Sequence, residues 1–271
     1  MQTGWERNKR VHFDNIVAQY DVIRWDYPDA LYDDIVHFTT TGKTAVEIGA
    51  GTGKATAPFL RHGFDVTAVE LGENMCMFLD HKFNGNDNLH IIHNTFEDAV
   101  LPEKQYDLVY AASSFHWVDA AVGVPKAFHL LKPGGVFALF RNNFNPPKDD
   151  IMYDRIQAVY DQYYYTYYKN ASRPKIVPAQ TLWEPEQLII SFRFDGMEHY
   201  GFTDITMHLY ESKQSYNADD YIKLMDTMSD HISLPDEYKN PLYEGIRKVI
   251  IDNNNHYTVN RTFQLYMGRK P

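Results

Sequence analysis

Gly49, Gly51 and Gly53, spaced G-x-G-x-G just after the acid Glu47, are the residues of this 271-residue chain best suited to chemistry. Glycine takes positive φ at little steric cost and brings no Cβ, so a ligand can lie directly on the backbone of such a loop. A dinucleotide loop reads G-x-G-x-x-G, with a helix start aimed at the pyrophosphate. Here the third glycine comes one residue earlier. Glu47, two positions before the first glycine, repels a phosphate and welcomes an ammonium. Glu70 closes the next apolar run, where a carboxylate can accept both hydroxyls of a ribose. The pattern suits an adenosine with a cationic amino-acid tail better than a nicotinamide dinucleotide.

These residues need a strand, a tight loop and a helix to hold them. Thr44–Ile48 is a short β-branched run of the kind buried on both faces of a sheet, and the glycine loop follows it directly. Residues 54–62 predict a helix, 64–69 a second strand and 74–83 a helix, with Met75 placed either on an adenine face or in the core. Residues 88–93 predict a third strand and 106–111 a fourth. The segment 120–130 predicts a helix, and Lys132-Pro133-Gly134-Gly135 a turn into the strand 136–141. Right-handed crossovers gather the loops after such strands along one edge, so the site belongs there. His90 and His93 point to opposite faces of their strand and make a poor metal pair.

The motif E-I-G-A-G-T-G with Glu70 resembles a class I S-adenosylmethionine-dependent methyltransferase. The resemblance continues through Asn94-Thr95-Phe96-Glu97, the run 106–114 with Phe115-His116-Trp117-Val118-Asp119, and Leu131-Lys132-Pro133-Gly134-Gly135 with 137–142. It covers about the first half of the chain. It is similar to the small-molecule branch that includes ubiquinone/menaquinone-biosynthesis and trans-aconitate methyltransferases. The implied fold is α/β: a seven-stranded, mostly parallel, doubly wound Rossmann-like sheet with an antiparallel last strand and a helical lid insertion.

The resemblance also implies roles. Phe13-Asp14, Tyr20-Asp21, Arg24 and Tyr27-Pro28 fall where relatives carry a flap over the cofactor, with the Arg meeting its carboxylate; Trp25 and Asp26 depart from that pattern. The implied cofactor site is Tyr20, Arg24, Glu47, Gly49, Ala50, Gly51, Gly53, Glu70, Leu71, Met75, Thr95, Phe96, Glu97, Ala112 and Ser113. The end of the fourth strand faces the methyl group, where His116 is either a proton acceptor with a pKa near working pH or a packed residue orienting the loop. An N-P-P-Y type signature of nucleobase methylation does not occur there. Arg141 replaces the usual Trp and either forks a carboxylate or sits at the rim. Trp117, Arg141 and Tyr164 complete an expected substrate site, with no metal.

Beyond Asn145-Pro146-Pro147 the resemblance thins. Tyr160, Tyr163, Tyr164, Tyr165, Tyr167 and Tyr168 cluster on one predicted helix, some of them facing a pocket, another subunit or water, or else the helix simply packs against the sheet. Residues 202–210 predict the sixth strand, 218–230 and 238–252 helices, and 257–267 a strand that enters between the fifth and sixth. Thr227, Met228 and Ser229 weakly resemble a relative's pocket-lining stretch. The expected organisation is a helical flap (1–43), a cofactor-binding core (44–144), a lid insertion (145–200) and the C-terminal part of the sheet (201–271).

With 44% hydrophobic residues the chain can bury a large core, and a formal net charge of −10 offers no basic footprint for nucleic acid. The lone Cys76, a polar start and no long apolar run predict a cytoplasmic protein away from the membrane. The expected function is methyl transfer from S-adenosylmethionine to a small molecule, an O-methylation of a carboxylate or hydroxyl. The alternatives are a cofactor-binding regulatory protein without turnover and, less well supported by the loop spacing, a nicotinamide-dependent oxidoreductase.

Overall fold

The computed structural model describes residues 17–144, 146, 149–169, 171, 173 and 179–271. Phe13 and Asp14 of the expected flap, and Asn145 and Pro147 of the expected boundary, lie outside the described residues. Seven strands form one sheet: β1 (Thr44–Ile48), β2 (Asp65–Glu70), β3 (Leu89–His93), β4 (Tyr106–Ala112), β5 (Leu131–Phe144), β6 (Thr203–Tyr216) and β7 (Tyr257–Arg269). Their order is β3-β2-β1-β4-β5-β7-β6. The first five run parallel, and β7 lies antiparallel between β5 and β6, as expected of the last strand.

The helices are α1 (Val17–Ile23), α2 (Asp29–Phe38), α3 (Thr56–Arg61), α4 (Glu73–Lys82), α5 (Ala120–Leu130), α6 (Ile151–Gln162), α7 (Tyr164–Tyr167), α8 (Pro185–Phe192), α9 (Ala218–Met225), α10 (Ser229–Ile232) and α11 (Asp236–Ile251). Alternate strand residues meet helices on the two faces. Ala45, Leu108 and Val136 pack with Leu31 and Ile35 of α2 and Phe59 of α3. Val46, Val109 and Phe137 pack with Val124, Ala127 and Leu130 of α5. Fully burying each Val, Leu, Ile or Phe of these layers contributes about 1.5–3 kcal/mol, so the sheet is a rigid platform for its loops. Its far end is pinned by Asp107, whose buried carboxylate accepts from the Thr44 amide at 2.9 Å and pairs with Lys132 at 3.0 Å.

Four elements differ from the sequence expectation, each because a tertiary partner outweighs local pattern. β5 and β6 run on to Phe144 and Tyr216 because β7 pairs with them that far. The expected helix 218–230 stops at Met225, where the Thr227 hydroxyl donates back to the Leu224 carbonyl at 2.6 Å and Met228 is extended, then restarts as α10. The tyrosine-rich segment does not face a pocket. Tyr160, Tyr163, Tyr164 and Tyr168 pack on a third core of Ile156, Leu224, Leu242, Ile246 and Ile250, over the ends of β6 and β7. No described helix is long and apolar enough to cross a membrane.

Candidate functional site

At the carboxyl edge of β1, β2, β4 and β5 a cleft opens as two adjoining cavities of about 140 and about 360 Å³. They share Tyr20, Gly49, Gly51, Ala112, Ser113 and Trp117 as a common wall.

The smaller cavity is lined by Glu70, Leu71, Met75, Thr95, Phe96 and Glu97, six of the residues expected around the cofactor. Glu70 accepts from the Gly51 amide at 2.7 Å and the Gly72 amide at 2.8 Å, one on each oxygen, so its position is fixed by the loop it serves. Gly51 has φ of 57°, and a Cβ there would meet nothing within 4 Å, because it would project into open space. This is a backbone cradle that a side chain would fill, and it fits an adenosine laid on the loop. Gly53 departs from the expectation: it lines neither cavity, and a Cβ on it would come within 2.5 Å of Phe83. Its lack of a side chain lets the end of α4 pack against the loop. The loop after β3 closes on itself, the Asp98 amide donating to the Thr95 hydroxyl at 3.1 Å, which leaves the Phe96 side chain buried beside the cavity.

Glu47 faces the larger cavity. Its Oε2 accepts from the Thr56 hydroxyl at 2.5 Å and the Tyr110 hydroxyl at 2.9 Å, while its buried Oε1 has no hydrogen-bond partner. Burial pushes its pKa up to about 8. An ammonium placed by that oxygen would satisfy it and draw the proton off, which fits the amino-acid end of S-adenosylmethionine. Ala50 also lines this cavity.

Three guanidiniums from three elements reach the same cavity. Arg24, after α1, donates through Nη2 to the Thr227 carbonyl; Arg141, on β5, donates to the Ser191 carbonyl at 2.5 Å; Arg261, on β7, donates to Asn142 Oδ1 at 2.9 Å. Among the described residues none of the three pairs with a carboxylate, and the buried Nε of Arg24 and of Arg261 makes no hydrogen bond. Burying charges without counter-ions is costly, so such a wall is built for an anion.

His116 and Trp117 cap the end of β4 with ring centres 4.9 Å apart. Burial, reinforced by Arg141 and Arg193, lowers the His116 pKa to about 3. The imidazole is therefore neutral across the working range and is a weak base, contrary to the expectation of a pKa near working pH. Beside it Ser113 is held at φ of 54°, a strained position for a side-chain-bearing residue, by the Tyr27 hydroxyl at 2.7 Å and the Phe140 carbonyl at 2.8 Å. Tyr164 lines neither cavity: its hydroxyl is spent on Asp230 Oδ2 at 2.5 Å, and Asp230 is the residue in the wall.

Trp25, Tyr27, Asn142, Asp230 and Arg261 line the larger cavity without having been picked out as site residues, while Met228 and Ser229, only weakly suggested by sequence, do line it. Arg261 left a legible trace: it shares a strand face with Phe263, Leu265 and Met267, and a charge in such a stripe is buried for a reason. Asp230 left none.

Residues 46–139 match the family model of the methyltransferase domain. Over these residues the chain is similar to methyltransferase domains. It is 30% identical over 136 residues to an uncharacterized methyltransferase of Mycobacterium bovis, a match covering 50% of this chain and 54% of that protein. The match thus spans about half the length of that curated relative. An uncharacterized methyltransferase-like protein of Schizosaccharomyces pombe is 24% identical over 242 residues, 88% of this chain and 85% of that one. The solved structure of a proposed type II methyltransferase from Anaeromyxobacter dehalogenans superposes with a TM-score of 0.63 at 18% identity, over 91% of this chain and 97% of that one, a likeness of fold.

Proposed function

We propose that the protein methylates an oxygen of a small acidic acceptor, with S-adenosylmethionine as donor and a carboxylate oxygen as the nucleophile. The observation that carries this reading is the pair Arg141 and Arg261, two cavity-lining guanidiniums that no acid of the described chain neutralises. Arg24, the third, is read as the partner of the cofactor's carboxylate.

When bound, S-adenosylmethionine supplies a methyl group already activated by its sulfonium. Glu70 would accept from its ribose hydroxyls, Met75 and Phe96 would flank its adenine, and Glu47 would take its ammonium. Arg141 and Arg261 hold the acid in line with the methyl, and the tight wall of Trp117 and Tyr20 keeps water out. The bound donor would supply the methyl group and keep the electron pair at its sulfur, so the residues would have only to hold the acceptor oxygen in line. A carboxylate has no proton to lose in that step. A site whose histidine has a pKa of about 3 is therefore suited to it. In this reading residues 1–43 are the covering flap, 44–144 the cofactor-binding core, 145–200 an insertion and 201–271 the rest of the sheet.

Labelled S-adenosylmethionine, offered with carboxylic acids, phenols, quinone precursors and bulk RNA or DNA, tests the proposal. Label is expected in base-labile methyl esters of acids. Labelling of phenols or nucleic acid with no acid turned over would refute it.

A further inference from the structure

The larger cavity has one acid held in a way that its guanidiniums are not. Asp230 is on α10, immediately after the break that ends α9. Its Oδ1 accepts a hydrogen bond from His231 Nδ1 at 3.1 Å, its Oδ2 one from the Tyr164 hydroxyl at 2.5 Å, and its backbone carbonyl one from the Tyr168 hydroxyl at 2.7 Å. His231 is 3% exposed and is fixed in turn from behind: with Nδ1 donating, Nε2 accepts from the buried Tyr160 hydroxyl at 2.8 Å. The rings are packed together, Tyr160 edge-on and Tyr164 tilted against the imidazole with centres 5.7 and 5.3 Å away.

One tyrosine and a buried histidine thus hold the carboxylate itself, Tyr160 backs the histidine and Tyr168 ties the backbone carbonyl, while Asp230 still borders the cavity. Each oxygen has taken one hydrogen bond and keeps further lone pairs. Burial alone would raise the pKa of this acid, but His231 and the Tyr164 hydroxyl outweigh it and hold it well below the usual carboxylate range. A carboxylate fixed and permanently ionised is a poor proton acceptor and a good hydrogen-bond acceptor.

We propose that Asp230 is a subsite for a hydrogen-bond donor on the acceptor, a hydroxyl or an ammonium, so that the acceptor is a hydroxy or amino acid rather than a plain acid. The inference rests on the acidic acceptor proposed above and adds a second pole to it: guanidiniums for the acid group, Asp230 for the donor. His231 and Tyr164 are positioning residues that act through Asp230.

The test uses the full chain, labelled S-adenosylmethionine and matched acids: succinate, malate and aspartate; phenylacetate, mandelate and phenylglycine. Wild type is expected to favour the hydroxy or the amino member over the plain acid by about 10-fold or more in kcat/KM, mostly through KM; which member wins tells hydroxyl from ammonium. Asp230→Asn should level the series with the cofactor Kd unchanged. His231→Leu should shrink the preference, and His231→Asn, whose amide can replace the Nδ1 donor, should restore it. Tyr164→Phe, which deletes one hydroxyl, gives the same reading if His231→Leu does not fold. Equal or better turnover of the plain acids overturns the subsite and leaves the acidic acceptor standing. So does an Asp230→Asn protein that keeps the preference but binds the cofactor more weakly, since the carboxylate then serves the cofactor. Failure to methylate any acid overturns the proposed function and this inference together.

Discussion

The Arg261 guanidinium carbon lies 3.7 Å from the centre of the Trp25 ring. The Arg24 guanidinium lies 4.8 Å from the same ring, so one indole attracts two like charges and offsets part of what their burial costs. Arg261→Met keeps the packing on Trp25 and removes a buried charge without a counter-ion. It is expected to raise Tm, because such a charge destabilises the empty protein, and to raise the acceptor KM by about 10- to 100-fold. Thermal melts and steady-state kinetics check the two together. A lowered Tm with unchanged KM would make Arg261 a structural residue.

Glu70→Ala removes the ribose acceptor and orphans the Gly51 and Gly72 amides. Cofactor affinity should fall by about 1–3 kcal/mol in calorimetry. Gly51→Val, whose side chain enters the cradle, should abolish the binding heat altogether.

Glu47 predicts a pH dependence of stability. Its folded pKa of about 8 stands above its ordinary 4.5, so folding favours the protonated form. That contribution is complete below pH 4.5, shrinks as pH rises, and is lost by about pH 8. Denaturant unfolding of the cofactor-free protein should thus show falling stability across that window, and Glu47→Gln should flatten the curve. A variant that follows wild type at every pH would contradict the shift.

His116→Phe is expected to change kcat by less than about 10-fold, since a positioned general base contributes about 10²–10⁴. The pH profile of kcat should keep its shape. A loss beyond 100-fold, removed together with an acid limb, would return His116 to the role of a base and would exclude a carboxylate nucleophile.

Much of this architecture could be read from the chain because the parallel strands are continuous apolar runs and the glycine loop has fixed demands on φ. The lining of the smaller cavity was legible for the same reason: its residues follow strand ends in local order. The larger cavity was legible only in part: Arg24, Glu47, Trp117 and Arg141 were picked out, but the rest of its walls come from places far apart in sequence. Arg24, Arg141, Asp230 and Arg261 meet only once β7 has inserted between β5 and β6 and the helix after β6 has broken at Thr227. The tyrosines misled for a related reason. Their composition signalled buried phenols seeking partners, and the partner turned out to be the Asp230–His231 pair rather than a ligand.

α1 buries none of its residues, yet Tyr20 on it borders both cavities. The strap after α1 is anchored by Trp25 against Arg261 and by Tyr27 against Phe140, whereas what holds this helix includes the Lys82–Asp21 pair at 2.7 Å and the Gln19 amide donating to the Lys223 carbonyl at 3.0 Å. Such contacts release at far lower cost than a packed sheet layer, so this cover can peel away while every strand stays in place. Opening of this helix is then a local event that higher ionic strength favours, as the Lys82–Asp21 pair is screened, and which leaves the global unfolding free energy out of the reckoning. Amide hydrogens of residues 17–23 should exchange by this opening far sooner than those of β1 and β4, and bound cofactor should slow them selectively.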